Sequence, residues 1–189
     1  FVAVGAWLFL AERITAKTMA GIAIALVGAV LLAGSGAIDG SSQAVDPLLG
    51  NSLAVIGAVM AAVYVLSGRS IRQRVSVVPY VLLVYSVAAL GLLGVVLLSG
   101  HPLWGYPTHE WVLFVGMAVG PGLLGHTLIN WALEHVESSV VSVAIVGEPV
   151  GSSVLAAVLF GEIPGILAVV GGVVVLSGIV VTARGHRDH

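Results

Sequence analysis

Apolar runs separated by short polar segments dominate this chain. A helix that crosses a bilayer needs about 20 apolar residues, which is about 30 Å of helix. Six runs meet this length, at approximately residues 17–34, 48–68, 78–99, 110–133, 139–160 and 163–183. Polar residues do not occupy every second position within them, so helices are favoured over barrel strands. The pattern predicts an all-α integral membrane protein, a polytopic helical bundle.

The opening run, residues 1–10, is too short to cross a bilayer. A signal peptide would have basic residues before its apolar core and a small-residue cleavage site after it, so we interpret the run as the end of a helix that begins upstream. Elsewhere the breaks between runs have local causes. Pro47, Pro79 and Pro164 stand where a helix can begin without losing a hydrogen bond, and residues 35–47 form a Gly/Ser/Asp-rich loop.

Composition supports a membrane environment and excludes several functions. Hydrophobic residues make up 59% of the chain and charged residues only 8%, with a mean hydropathy of +1.13. A soluble domain has about 25% charged residues. The net charge of −2 comes without a basic patch for nucleic acid, and the absence of Cys excludes a disulfide framework.

The basic residues predict the orientation in the membrane. Connections 35–47, 100–109 and 161–163 contain no Lys or Arg, whereas all seven basic residues fall in the alternate connections and the tail: Arg13, Lys17, Arg69, Arg72, Arg74, Arg184 and Arg187. The positive-inside rule then places the C-terminus in the cytoplasm. The membrane is expected to be the cell (inner or plasma) membrane. Trp104, Tyr106 and Trp111 are predicted to lie at the opposite interface.

The chain contains an internal repeat. An offset of 150 residues matches five pairs without a gap: Ala6 with Ala156, Glu12 with Glu162, Gly21 with Gly171, Leu26 with Leu176 and Gly28 with Gly178. Five spans separate the two Glu residues, and an odd number turns the second copy upside down relative to the first. The sequence therefore predicts an inverted-repeat transporter. We expect ten helices in the intact protein, with about 100 residues of the first copy upstream.

Two stretches resemble the EamA family of the drug/metabolite transporter superfamily. The first is Phe9-Leu10-Ala11-Glu12-Arg13-Ile14-Thr15, followed by Gly21 and Gly28; the second runs through Gly125-His126-Thr127-Leu128-Ile129-Asn130-Trp131, Glu148-Pro149-Val150 and Leu159-Phe160-Gly161-Glu162. The resemblance implies the end of a first EamA repeat at 1–34, an extracytoplasmic loop at 35–47, a second repeat with five helices at 48–183 and a cytoplasmic tail at 184–189.

The same resemblance implies a function. It implies an exporter or permease that moves small metabolites or drugs across the membrane, including by efflux, with no cofactor and no metal. The expected partners are a small-molecule substrate and the lipid bilayer. Nucleic acid is not expected, and a homodimer is left open.

Polar residues at membrane depth are the candidates for a substrate or proton pathway. Glu148 lies about 14 Å into its span, near the midplane, where a carboxylate costs about 2.5–3.5 kcal/mol. His126 lies at a similar depth in the preceding span, and the short connection between the two spans makes them antiparallel neighbours. Asn130 shares the face of His126, and Ser152 that of Glu148. We expect these four side chains to line the path. For His126 and Asn130, an equal alternative is that they hold helices together through hydrogen bonds.

Several further residues complete the set. Tyr64 and Tyr85 offer hydroxyl groups to the path or simply pack. Kinks or local unwinding are expected at Pro121 and Pro149, and the pairs Gly116/Gly120 and Gly147/Gly151 have the small-xxx-small spacing of close helix contacts. Glu12 and Glu162 lie at span ends before a helix begins, and are interpreted as topological anchors.

The sequence lacks the common enzyme motifs. It contains no H-E-x-x-H, P-loop or G-x-S-x-G pattern, and His101 and His109 have only Glu110 beside them as a further metal ligand. An enzyme is therefore not expected. The alternatives to a transporter are a non-transporting membrane scaffold or regulatory subunit, which needs no ionisable group at mid-depth, and a channel.

Overall fold

The computed structural model describes residues 1–12, 14–38 and 47–187. They form two units: unit 1 is Phe1–Leu66 with Val136–His189, and unit 2 is Ser67–His135. Over these residues the chain is helical: α1 (Val2–Phe9), α2 (Ala16–Ile38), α3 (Pro47–Arg72), α4 (Val77–Ser99), α5 (Thr108–Met117), a π-helical segment (Ala118–Gly125), α6 (His126–His135), α7 (Ser138–Val146), α8 (Glu148–Phe160) and α9 (Ile166–Arg187).

The six predicted spans are confirmed. Within the described ranges, six helical stretches are long and apolar enough to cross a membrane: Ala16–Ser35, Leu48–Arg72, Val77–Ser99, Thr108–His135, Ser138–Phe160 and Ile166–Gly185. The protein is a multi-pass membrane protein with the architecture of a polytopic helical bundle. Most of the predicted loop at 35–47, together with Arg13 and the last two residues of the tail, lies outside the described residues.

Unit 1 is built on a close contact between α2 and α9. A Cβ added to Gly21 would lie 2.8 Å from the carbonyl oxygen of Gly178, and one added to Gly28 would lie 2.8 Å from that of Gly171. The early glycine of α2 therefore meets the later glycine of α9, so the two helices run antiparallel. Without Cβ atoms the backbones approach closely, which is how helices associate in lipid, where apolar burial gives no advantage over acyl chains.

The α2–α9 contact follows the repeat. The repeat matches Gly21 with Gly171 and Gly178 with Gly28. The Gly21–Gly178 contact therefore predicts a Gly171–Gly28 contact, which is the second contact observed. In the same way, Gly28 meets the backbone nitrogen of Val175 while Gly178 meets that of Ala25. The two helices are thus exchanged by a two-fold rotation perpendicular to both. The matched segments point in opposite directions, as an inverted repeat requires.

A turn is also repeated within unit 1. Ala11 has φ 53° and Gly161 has φ 71°, both left-handed. At the end of α1 the backbone N–H of Glu12 donates to Ala6 (3.2 Å), and at the end of α8 that of Glu162 donates to Ala156 (3.4 Å). In both places the bond closes the helix end across the left-handed residue. Both copies of the repeat therefore leave their helix through the same turn, each with a Glu directly after it.

The close glycine contacts differ from the expected ones. Nothing lies within 4 Å of a Cβ added to Gly116, Gly120 or Gly151, and only Gly147 of the two expected pairs is in contact, with Ile179 of α9. Among the described residues, these three positions therefore make no close helix contact, and the small-xxx-small interpretation stays a prediction there. In α2 and α9 the packed glycines are spaced by seven residues, which keeps them on one seam between two slowly supercoiling helices.

Unit 2 is held together by arginines at the end of α3. The guanidinium of Arg69 donates to the carbonyl oxygens of Leu133 (2.7 Å) and Glu134 (3.1 Å). Arg72 is 1% exposed, and donates through Nε to the carbonyl oxygen of Asn130 (2.9 Å) and through its terminal nitrogens to Val75 and the Glu134 carboxylate. The Leu133 and Glu134 carbonyls lie in the last turn of α6, where the helix supplies no donors of its own, so Arg69 satisfies them. Arg72 adds a donor to the Asn130 carbonyl one turn earlier.

Replacing Arg72 with Met is expected to destabilise the protein by about 1.5–3 kcal/mol, the range for a lost hydrogen bond to a charged group. The substitution leaves the buried Asn130 carbonyl without its Arg72 donor. The midpoint of thermal unfolding in detergent measures the effect. Arg74→Met is the matched control, because it removes the same charge from an exposed side chain. An equal loss in both variants would show that positive charge, rather than the contacts of Arg72, is what stabilises this end of unit 2.

Candidate functional site

The span Ser138–Phe160 is interrupted at its centre. α7 ends at Val146, Gly147 lies between the helices, and α8 begins at Glu148. The turn is closed by short-range bonds from the Gly147 N–H to Ala144 (3.0 Å) and from the Val150 N–H to Gly147 (3.0 Å). Pro149 has no N–H to donate to Ile145, so a regular helix cannot continue through this position. The break therefore lies where the sequence has Gly-Glu-Pro.

Glu148 is the first residue of α8, and its side chain is exposed. Among the residues that the structure describes, it has no hydrogen-bond or ion-pair partner. The N-terminus of a helix carries a partial positive charge that stabilises a carboxylate. The next polar side chains do not turn toward it: Ser152 and Ser153 both donate to the carbonyl oxygen of Pro149, at 3.0 Å and 2.7 Å. Glu148 is thus a solitary acid at a helix break halfway through a span.

An apolar cavity of about 290 Å³ lies beside this break in unit 1. One wall is α8 from Val150 to Val158, and the other is α9 with Pro164 before it. Ser153 is the only residue with a polar side chain among those lining it: Leu32, Val150, Ser153, Val154, Ala157, Val158, Pro164, Ala168, Val169, Gly172, Val173 and Leu176. The cavity suits an aliphatic or aromatic group rather than a strongly polar one.

In unit 2, Pro121 lies in the π-helical segment Ala118–Gly125. In a regular α-helix the carbonyl of Met117 would accept a bond from residue 121, but proline has no N–H to offer. The π register moves that bond one residue on, to Gly122, so the helix widens instead of breaking. π-Helical turns of this kind are frequent at functional sites.

The other candidates in unit 2 have different surroundings. Asn130 is 0% exposed, and its amide nitrogen donates to the backbone carbonyl of His126 (2.8 Å). The His126 side chain is exposed, and the Tyr85 hydroxyl is hydrogen-bonded to that of Thr127 (3.0 Å). Asn130 therefore has the surroundings of a packing residue, whereas His126 can reach a molecule outside the unit.

Glu148, Ser152 and Tyr64 belong to unit 1, while His126, Asn130 and Tyr85 belong to unit 2. The expected His126–Glu148 contact joins two separate units and stays a prediction. Tyr64 is half-buried in α3.

The two predicted anchors, Glu12 and Glu162, differ in their contacts. The Glu12 carboxylate accepts hydrogen bonds from the backbone N–H of Ser138 (3.2 Å) and from its hydroxyl (2.9 Å). Ser138 is the first residue of α7, so Glu12 caps that helix rather than the one that follows it in the chain. The Glu162 side chain is exposed, and the described residues offer it no hydrogen-bond partner.

Three contact residues were not anticipated from the sequence: Ser138, Thr127 and the buried Arg72. Ser138 lies 126 positions from Glu12, and no local pattern connects the two. Positive charge near a span end predicts both the cytoplasmic side and a hydrogen-bond donor for free helix carbonyls. For Arg72, only the cytoplasmic side was predicted.

An antiparallel pair of repeat-related helices, six apolar spans and a broken span with an acid at its centre define the class of secondary transporters built from inverted repeats. The sequence model of the EamA-like transporter family matches residues 48–184, and the chain belongs to this family, within the drug/metabolite transporter superfamily. Comparison with curated proteins gave no match, and neither did comparison with solved structures. The family and the fold are those of a membrane transporter.

Proposed function

We propose that this protein moves small metabolites or drugs across a cell membrane, with its C-terminus in the cytoplasm, and that Glu148 couples the movement to protons. One observation carries the proposal: an exposed carboxylate without a described partner stands at the break in the centre of the span Ser138–Phe160. Ionisable groups at this depth are costly, and they mark pathways for ions, protons or substrates.

The break provides the physical means for coupling. Broken spans in secondary transporters place helix termini and loosened backbone at the substrate site. Glu148 is the first residue of α8 and stands directly at this break. When it takes up a proton, the group becomes a neutral donor, and its interaction with that helix terminus weakens. A change in its protonation can therefore shift the balance between two arrangements of the span.

Each unit offers different groups to the transported molecule. In unit 1 the apolar cavity between α8 and α9 is suited to an uncharged part of a substrate. In unit 2 the exposed His126 ring and the Tyr85–Thr127 pair are the polar groups at span depth. Asn130 is proposed to hold α6 in place, because it is buried and bonded to backbone. The unit 1 cavity by itself favours molecules with an apolar part over free inorganic ions.

The test begins with the full-length protein in detergent and a panel of amino acids, nucleosides, sugars and amphipathic cations. A compound that raises the thermal unfolding midpoint is then added to the outside of proteoliposomes that contain the protein. Its uptake is measured with and without an imposed pH gradient. Uptake that accumulates only with the gradient is the expected result. Equilibration at the same rate with or without the gradient would indicate a channel, and no protein-dependent movement of any stabilising compound would favour a scaffold or regulatory subunit.

A further inference from the structure

The two-fold relation in unit 1 extends beyond the glycines of α2 and α9. A shallow groove in the first copy is lined by Trp7, Leu8, Ala11, Glu12, Ile14 and Met19. The residues 150 positions later include Ala157, Val158, Pro164 and Val169, and these line the apolar cavity between α8 and α9. One two-fold rotation therefore relates three features of the two copies: the helix contacts, the turn that ends the helix and the surface beside that turn. A contact made by one copy predicts its counterpart in the other.

One such contact has no counterpart among the described residues. The first copy's α1 packs against α7 of the second copy, and Ser138 at the N-terminus of α7 is held by Glu12. Ser138 is 0% exposed, and so is Ala6 of α1. In the second copy, α8 takes the place of α1 and Glu162 takes the place of Glu12. No residue of α8 is buried, and Ala156, the counterpart of the buried Ala6, is only half-buried.

We propose that Glu162 and the adjoining face of α8 bind the N-terminus of a helix from the first copy of the repeat, the counterpart of α7. Under the two-fold operation this helix begins 150 residues upstream of Ser138, outside the chain described. Its first turn would supply a backbone N–H and a Ser or Thr hydroxyl to the Glu162 carboxylate, as Ser138 does for Glu12.

The chemistry of the site fits this occupant. A helix N-terminus presents unpaired N–H groups and a partial positive charge, and both favour an anionic acceptor. The left-handed Gly161 projects Glu162 from the end of α8 as Ala11 projects Glu12 from the end of α1. A second copy of the chain would have no reason to place a helix N-terminus at this point, whereas the internal repeat does.

Cysteine cross-linking in the full-length protein tests the proposal. The 189 residues contain no Cys, so pairs can be introduced in a background made cysteine-free upstream. Glu12→Cys with Ser138→Cys is the reference pair. The Glu12 carboxylate lies 2.9 Å from the Ser138 hydroxyl, so a bifunctional thiol reagent that spans about the length of a Glu side chain is expected to join the pair. Glu162→Cys is combined with a Cys 150 residues upstream of Ser138. Treatment with this reagent in native membranes, followed by peptide mass spectrometry, should find both cross-links within single chains.

The control moves the upstream Cys two residues along, to the opposite face of that helix, where the cross-link should be lost. Glu162→Ala provides a second measurement: the thermal midpoint should fall by about 2–4 °C, as for Glu12→Ala. Formation of the reference cross-link without the Glu162 cross-link would overturn the proposal. So would a Glu162 cross-link found only between two chains, since that would identify a second copy as the occupant.

Discussion

Gradient-driven uptake is expected to be abolished when Glu148 is replaced by Gln, while the protein stays folded in the membrane. Gln has nearly the same size and still forms hydrogen bonds, but it cannot take up or release a proton. If Glu148 carries the coupling proton, the variant keeps its binding surface and loses the link to the pH gradient. Uptake of a stabilising compound into proteoliposomes, at fixed protein content and with an imposed gradient, measures the effect.

The position of Glu148 makes this substitution a clean one. Its carboxylate is exposed and has no partner among the described residues, so the substitution breaks no hydrogen bond or ion pair among them. Glu110→Gln is the matched control, because Glu110 also lies in the first turn of a helix, α5, but outside the centre of a span. Normal accumulation by Glu148→Gln would remove this residue from the mechanism. Exchange without accumulation would mean that Glu148 couples transport but does not bind the substrate.

Much of this fold could be predicted because lipid imposes simple requirements. Each span must be apolar over about 20 residues and satisfy its own backbone, so hydrophobic runs translate directly into helices. The inverted repeat was visible for a related reason. Gly21, Gly28, Gly171 and Gly178 are needed where two backbones nearly touch, and only glycine fits at such contacts. The matching residues Glu12 and Glu162 then fixed the offset between the copies at 150 residues.

The remaining features depend on tertiary contacts that no local pattern encodes. Pro149 predicted a disturbance, but the start of a new helix at Glu148 also requires Gly147 to rest against Ile179 of α9. Asn130 was expected to face a pathway because it shares a helical face with His126. A single helix turn separates a buried environment from an exposed one here, and helical spacing alone cannot distinguish them. The partner of Glu12 was hidden for the same reason.

The repeat relates the α2–α9 contact to movement of one copy against the other. Among the described residues of unit 1, corresponding helices of both copies meet directly here, and the backbone contacts of Gly21, Gly28, Gly171 and Gly178 occur in repeat-related pairs. A rearrangement that turns one copy against the other must therefore pass through this seam. Alternating access in inverted-repeat transporters is largely such a motion. Close glycine packing allows sliding along the seam without side chains that interlock.

Replacing both Gly28 and Gly178 with Ala is expected to be the most destabilising of the small substitutions in unit 1. At Gly28 a new Cβ would lie 2.5 Å from the backbone nitrogen of Val175, and at Gly178 it would lie 2.5 Å from that of Ala25. Backbone atoms cannot move aside as a flexible side chain can, so α2 and α9 must separate. Overpacking of this kind costs about 1–3 kcal/mol for each site.

The two-fold relation makes the prediction sharper than a simple loss of stability. Because Gly28 and Gly178 occupy exchanged positions in one contact, the single variants Gly28→Ala and Gly178→Ala should lower the thermal midpoint by equal amounts. Gly34→Ala is the control within α2, since nothing lies within 4 Å of its added Cβ; it should leave stability unchanged or raise it by about 0.5–1 kcal/mol through better helix propensity. A strong effect at Gly28 with none at Gly178 would contradict the symmetric contact, because each glycine approaches the same kind of backbone atom at the same distance.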